Sequence, residues 1–205
     1  MKEIKFYKVV VFINSLVPLA LMSWDGYKGR LGANPVEFLT RTTGMLTLVF
    51  LLISLAVTPL RKLTGAQWII QLRRMLGLYA FFYGFLHLLT YIWFDRTFNL
   101  KSTVADIYAR PFIAVGMLSF FLMIPLAITS TKGWIKRLGG KRWARLHKLV
   151  YVSAIGGVVH FWMLVKSDIS LPIRFAFVLA LLLGSRIVIN HLKQKTPART
   201  LVPRV

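Results

Sequence analysis

The chain of 205 residues contains no cysteine. That absence excludes disulfides, thiolate zinc sites, iron–sulfur clusters and c-type haem attachment through Cys-x-x-Cys-His, and it leaves the redox compartment unreadable. Acidic residues are the second scarcity, with six Asp and Glu against 27 Lys and Arg and a formal charge of +21. The six are Glu3, Asp25, Glu37, Asp95, Asp106 and Asp168, and none falls inside an apolar stretch. No buried carboxylate is therefore expected for proton-coupled transport. A glycine-rich phosphate loop, a Ser-His-Asp arrangement and a metalloprotease helix are also missing. So are internal repeats and low-complexity segments.

What the sequence has in abundance is apolar surface: 57% of its residues are hydrophobic and the mean hydropathy is +0.64. A soluble domain of this size would expose too much of it, so the expected class is an all-α integral membrane bundle of about six transmembrane helices. Crossing the hydrocarbon layer takes about 20 helical residues. Apolar windows run over about residues 9–24, 44–60, 75–94, 112–129, 149–165 and 171–189, the last carrying Arg174 and Arg186 near its ends, where they can snorkel. The basic residues sit between these windows, which favours lipid headgroups over nucleic acid as their neighbour. Of the 27 cations, Lys28, Arg30, Arg41, Arg96, Lys101, Arg110, Lys166 and Arg174 fall on one side and all others on the opposite side. The more basic side is expected to face the cytoplasm, which puts both termini there in a bacterial inner membrane. The basic, then apolar start reads as a retained first helix, since residues 18–24 offer no small-x-small cleavage site. The whole of 1–205 reads as one domain. Leu201-Val202-Pro203-Arg204 matches a common protease-site sequence and takes no part in the functional reading.

Four histidines remain to be placed. His87 and His160 lie deep in the third and fifth windows, 13 residues beyond Arg74 and His147 respectively. At 1.5 Å per residue both stand roughly 20 Å along helices that run the same way. Two intramembrane imidazoles at one level are a suitable axial pair for haem iron. Gly84 precedes His87 by one turn, and Gly156 and Gly157 precede His160, where absent side chains would leave room for a flat macrocycle. The other reading is that these glycines allow close helix packing while the histidines bond carbonyls across the interface. His147 is either a ligand of a second haem or an interfacial residue among basic neighbours. A 13-residue step turns it roughly 140° from His160 around the helix, which counts against a shared seam. His191 reads as solvated. Trp24, Trp93 and Trp143 read as interface anchors. A cofactor-free membrane scaffold or carrier is the competing functional class.

A set of segments in fixed order carries a family resemblance. They are Leu31-Gly32-Ala33-Asn34-Pro35, Thr58-Pro59-Leu60-Arg61, Arg73-Arg74-Met75-Leu76-Gly77-Leu78, Leu86-His87-Leu88-Leu89-Thr90-Tyr91, Arg110-Pro111-Phe112, Leu138-Gly139-Gly140-Lys141-Arg142-Trp143, Leu146-His147-Lys148-Leu149-Val150-Tyr151, and His160. With them the chain resembles the MsrQ (YedZ) haem-binding membrane subunits of the ferric-reductase-like transmembrane group. The resemblance implies an electron-transfer subunit that is not an enzyme on its own. It implies b-type haem, FMN, and electrons passed from the quinone pool or a cytoplasmic flavin reductase to MsrP, a periplasmic molybdopterin methionine sulfoxide reductase. Asn34 stands where the family pattern leads us to expect an acidic residue. The more distant oxidase relatives carry a further histidine on the third helix that this chain lacks.

Overall fold

The computed structural model describes residues 2–195, and the Leu201–Arg204 run lies outside them. Among the described residues the chain is helical without a strand: α1 Lys2–Tyr27, α2 Pro35–Thr64, α3 Arg73–Thr90, α4 Leu100–Ala109, α5 Pro111–Ile128, α6 Lys132–Leu138, α7 Gly140–Leu146, α8 Leu149–Leu164 and α9 Ser170–Lys195. The apolar windows coincide with long helices to within a residue or two, the third running on through α3 into its extension Tyr91–Asp95, and α1, α2 and α9 overrun their windows into polar turns. Five segments, in α1, α2, α3 with its extension, α5 and α9, are long and apolar enough to cross a membrane. With 16 residues, α8 measures about 24 Å and is the short member. The segments without a window hold three further short helices. Of these, α4 lies at the end where α2 and α5 begin (the far end), and α6 and α7 lie at the end where α3 and α8 begin (the basic end).

Local chemistry sets the ends of α2. Pro35 occupies its first turn, and Asn34 caps it by accepting a hydrogen bond from the Glu37 backbone N–H at 3.1 Å while its own amide donates to the Glu37 carboxylate. This reciprocal cap explains an asparagine at a position where an acid was expected. Asn34→Ala is expected to cost about 1 kcal/mol of stability, readable as a lower unfolding midpoint in detergent. At the other end Gly65 closes α2 in the left-handed conformation at φ 72°, donating to Arg61 O. Inside α2, Pro59 cannot donate to the carbonyl of Leu55. Arg186 of α9 takes that place, its Nη2 donating to Leu55 O at 2.6 Å.

The core is a pair of pairs: α2 lies along α3, α5 lies along α8, and α9 closes against α2 and α8. Leu48, Leu51, Leu55, Leu76, Ala80, Tyr83, Ala154 and Val158 form its buried centre. The hydroxyls of Tyr79 and Tyr83 tie α1 to α3 by donating to Phe12 O (3.0 Å) and Ser15 O (2.6 Å). Gly156 and Gly157 let α8 approach its neighbours, since an added Cβ would collide with Ser119 Oγ of α5 at the first and lie 2.9 Å from Leu48 of α2 at the second.

A histidine pair in a cavity between two helix pairs

The gap between the two pairs of helices holds a cavity of about 720 Å³. His87 enters it from α3 and His160 from α8, with ring centroids 6.1 Å apart and planes inclined at 75°. The equal depth read from residue counts thus places the two imidazoles side by side.

Each ring is held in the same way. His87 Nδ1 lies 2.8 Å from Thr40 O on α2, and His160 Nδ1 lies 2.6 Å from Phe112 O on α5. A carbonyl only accepts, so in both rings Nδ1 carries the hydrogen and Nε2 keeps the lone pair. Neither Nε2 has a hydrogen-bond partner among the described residues. The two readings of the histidines are therefore combined in one geometry: each bonds a carbonyl across a helix interface and still offers a nitrogen to a ligand.

Two glycines that sequence reasoning missed make this possible. Gly44 lies one turn after Thr40, and Gly116 one turn after Phe112. A Cβ on Gly44 would stand 3.0 Å from the His87 ring, and one on Gly116 only 2.7 Å from His160 Nδ1. Without side chains at these positions the carbonyl one turn earlier is open to the imidazole. The signal was available in the sequence, because both glycines lie at the histidines' level on helices running the opposite way.

The expected glycines divide. Gly84 and Gly157 line the cavity, whereas Gly156 does not. Gly156 is a packing glycine against Ser119. Apolar walls come from Leu48, Leu51, Phe120, Met123 and Phe161, and the far-end rim carries Arg41, Asp95, Arg110, Lys166 and Asp168. The Ser170 side chain and backbone hold the exposed Asp168 carboxyl below its ordinary range.

His147 stands apart from this cavity. Its ring stacks on Trp143 at 4.0 Å, and Nε2 lies 3.1 Å from Thr129 Oγ1. Burial and, after it, the charge of Arg73 hold this imidazole below its ordinary pKa. The Trp143 indole N–H donates to Thr129 O at 2.9 Å and joins α7 to the end of α5. Trp24 and Trp93 are exposed at helix ends, as anchors would be. His191 is exposed.

Residues 42–158 match the family described as Ferric reductase like transmembrane component. The chain is 49% identical over 187 residues to the protein-methionine-sulfoxide reductase heme-binding subunit MsrQ of Herminiimonas arsenicoxydans, covering 90% of this chain and 86% of that protein. It is 50% identical to the subunit of the same name from Ralstonia nicotianae, covering 91% and 87%. The Azospira oryzae subunit is 48% identical over 206 residues, covering 100% of this chain and 88% of its own length. The chain belongs to the MsrQ family. Both histidines of the pair, Gly44 and Gly116 stand inside or beside the matched region: His87, Gly44 and Gly116 lie within it and His160 two residues beyond. The MsrQ relatives and the apolar helices together make this a membrane protein.

Proposed function

We propose that this chain is the haem-carrying electron-transfer subunit of a methionine sulfoxide reductase system, with one b-type haem held between His87 and His160 in a single domain spanning 1–205. The observation that carries the reading is the pair of anchored imidazoles 6.1 Å apart. His87 and His160 would hold the haem iron through Nε2, the ring nitrogen that neither carbonyl occupies. The donor set fits haem iron as well: two neutral imidazoles, each with its outer nitrogen bonded to a carbonyl, in an apolar cavity.

Bound haem supplies a one-electron couple. The chain's own residues do the rest. Thr40 O and Phe112 O fix the tautomer of each ring and raise the basicity of its Nε2. Gly44 and Gly116 admit the rings to those carbonyls. Phe120, Met123 and Phe161 keep water out, and the far-end rim carries both signs of charge, with Arg41 and Arg110 paired to Glu37 and Asp106. His147 stays outside this ligand set because its Nε2 is engaged with Thr129.

The remaining parts of the proposal rest on family membership and charge. Both termini would face the cytoplasm of a bacterial inner membrane, with the histidine pair nearer the periplasm. Electrons would come from the quinone pool or a cytoplasmic flavin reductase and pass to a periplasmic MsrP-like molybdopterin reductase, the chain doing no substrate chemistry alone. FMN enters through the family only.

A reduced-minus-oxidised spectrum of the purified protein tests the central claim. Bands of low-spin bis-histidine haem are expected, and colourless, folded protein would overturn it in favour of a cofactor-free scaffold. A graded result is expected from the glycines. Gly116→Ala should shift or broaden those bands more than Gly44→Ala, because the added methyl approaches His160 Nδ1 more closely than the His87 ring. Equal spectra for both variants and the parent would argue against the cradle.

A further inference from the structure

Ser15, Ser54, Ser119 and Ser153, which interrupt the apolar runs of the long helices, are all buried. Asn14, beside Ser15 on α1, is instead exposed. It stands midway along the span Glu3–Tyr27 and is the single amide side chain in any of the five membrane-crossing segments. Its Nδ2 donates to Val10 O at 2.8 Å. The second Nδ2 hydrogen and Oδ1 have no partner among the described residues. Pro18, four residues on, has no N–H to give the Asn14 carbonyl, so that helical bond is missing too. At this depth there is no water to satisfy an amide, and hydrocarbon makes an unpaired one costly.

The residues around Asn14 form a seam. Val10, Asn14, Val17 and Leu21 follow one another at steps of four, three and four, and all are exposed. They make one stripe, set roughly 120° around the axis from Val11, Ser15, Leu19 and Met22, which face the rest of the bundle. That spacing is the one by which two helices wind together, and a lone asparagine in such a seam fixes its register. The stripe is open in the single chain: only 11% of the apolar window of α1 is buried, against 50% in α2.

We propose that α1 is the interface of a homodimer within the membrane, two copies packing along Val10, Asn14, Val17 and Leu21 about a two-fold axis parallel to the membrane normal. Such an axis puts identical residues at identical depth, so each Asn14 faces the Asn14 of the second copy. An amide is both donor and acceptor, and the pair exchanges Nδ2–H and Oδ1 across the axis. A different helix would have to bring its own polar group to this level, whereas a second copy does so by symmetry. The cavity of the histidine pair draws no residue from α1, so the dimer and the haem reading fail independently.

The chain has no cysteine, and one introduced cysteine therefore reports on contact. The test uses the purified full chain in liposomes at low protein-to-lipid ratio, with mild oxidation followed by a non-reducing gel. Val17→Cys is expected to give a disulfide-linked dimer, and Phe121→Cys, equally exposed midway along α5, to stay monomeric. Adding Asn14→Leu to Val17→Cys should lower the dimer yield about tenfold, through the loss of interhelical hydrogen bonds in lipid. Asn14→Gln keeps the amide and should retain most of the dimer. An unchanged visible spectrum in both Asn14 variants checks that each is folded, because Asn14 bonds only to its own helix. A monomeric Val17→Cys, equal crosslinking from Phe121→Cys, or a yield indifferent to Asn14→Leu overturns the proposal.

Discussion

His87→Ala and His160→Ala are each expected to abolish the low-spin haem spectrum of the purified protein. Either substitution removes one of the two Nε2 atoms proposed to hold the haem and also a ring anchored to a carbonyl of the other helix in its own pair. The loss should exceed the 10–100-fold effect typical of outer-shell partners, because a ligand itself is gone. Adding free imidazole to His160→Gly should restore part of the spectrum by filling the vacated position. His191→Ala, at an exposed position, and His147→Ala, whose ring is occupied with Trp143 and Thr129, should leave the bands in place. Retention of normal low-spin haem by either of the first two variants would rule out the pairing. Loss in His147→Ala with His160→Ala unaffected would move the ligand to the other histidine.

The pairing was legible in the sequence because depth in a helical bundle is a residue count multiplied by a fixed rise. Thirteen residues from a basic boundary put His87 and His160 at one level whatever the side chains around them do. Azimuth is less forgiving. Gly156 and Gly157 are adjacent in sequence and point roughly 100° apart on the helix, so one lines the cavity and the other packs on Ser119. Gly44 and Gly116 escaped notice for a related reason: their role depends on a carbonyl one turn earlier and on a ring from a different helix. The short helices α4, α6 and α7 carry no apolar window, and hydropathy alone passes over them. His147 stayed open between two readings because its depth allowed a second centre while its roughly 140° offset from His160 counted against one, and its contacts with Trp143 and Thr129 depend on how α7 and α5 meet.

Acid scarcity led to the expectation that no carboxylate is buried, and it fails at one position, on a short helix outside the apolar windows. Asp106, on α4, is 7% exposed. It accepts hydrogen bonds from the Tyr91 hydroxyl at 2.8 Å and pairs with Arg96 at 2.5 Å and Arg110 at 3.0 Å. Tyr91 begins the π-helical extension of α3, Tyr91–Asp95, one turn beyond His87. Arg110 caps α5 two residues before Phe112, whose carbonyl holds His160. Asp106 thus joins the segment that carries one histidine to the segment that orients the other. Between them Thr97 and Phe98 turn through left-handed backbone at φ 46° and 57°, a conformation that costs of order 1–3 kcal/mol per residue and persists only where its surroundings hold it.

Removing this carboxylate is the most damaging single change expected at the far end. Asp106→Ala leaves Arg96 without its counter-ion, and that arginine already has a buried Nε lacking a partner. Breaking one side of a buried pair costs about 3–5 kcal/mol. The unfolding midpoint in detergent should fall accordingly, and haem retention should fall with it as α3 and α5 lose their common tether. Asp106→Asn, which keeps the acceptor for Tyr91 and drops the charge, should land between the parent and the alanine variant. The double variant Asp106→Ala with Arg96→Met should recover part of the loss, because the stranded charge leaves together with its partner. If Asp106→Ala melts at the parent's temperature with full haem content, the network is a surface ion cluster and the two half-sites are aligned by helix packing alone.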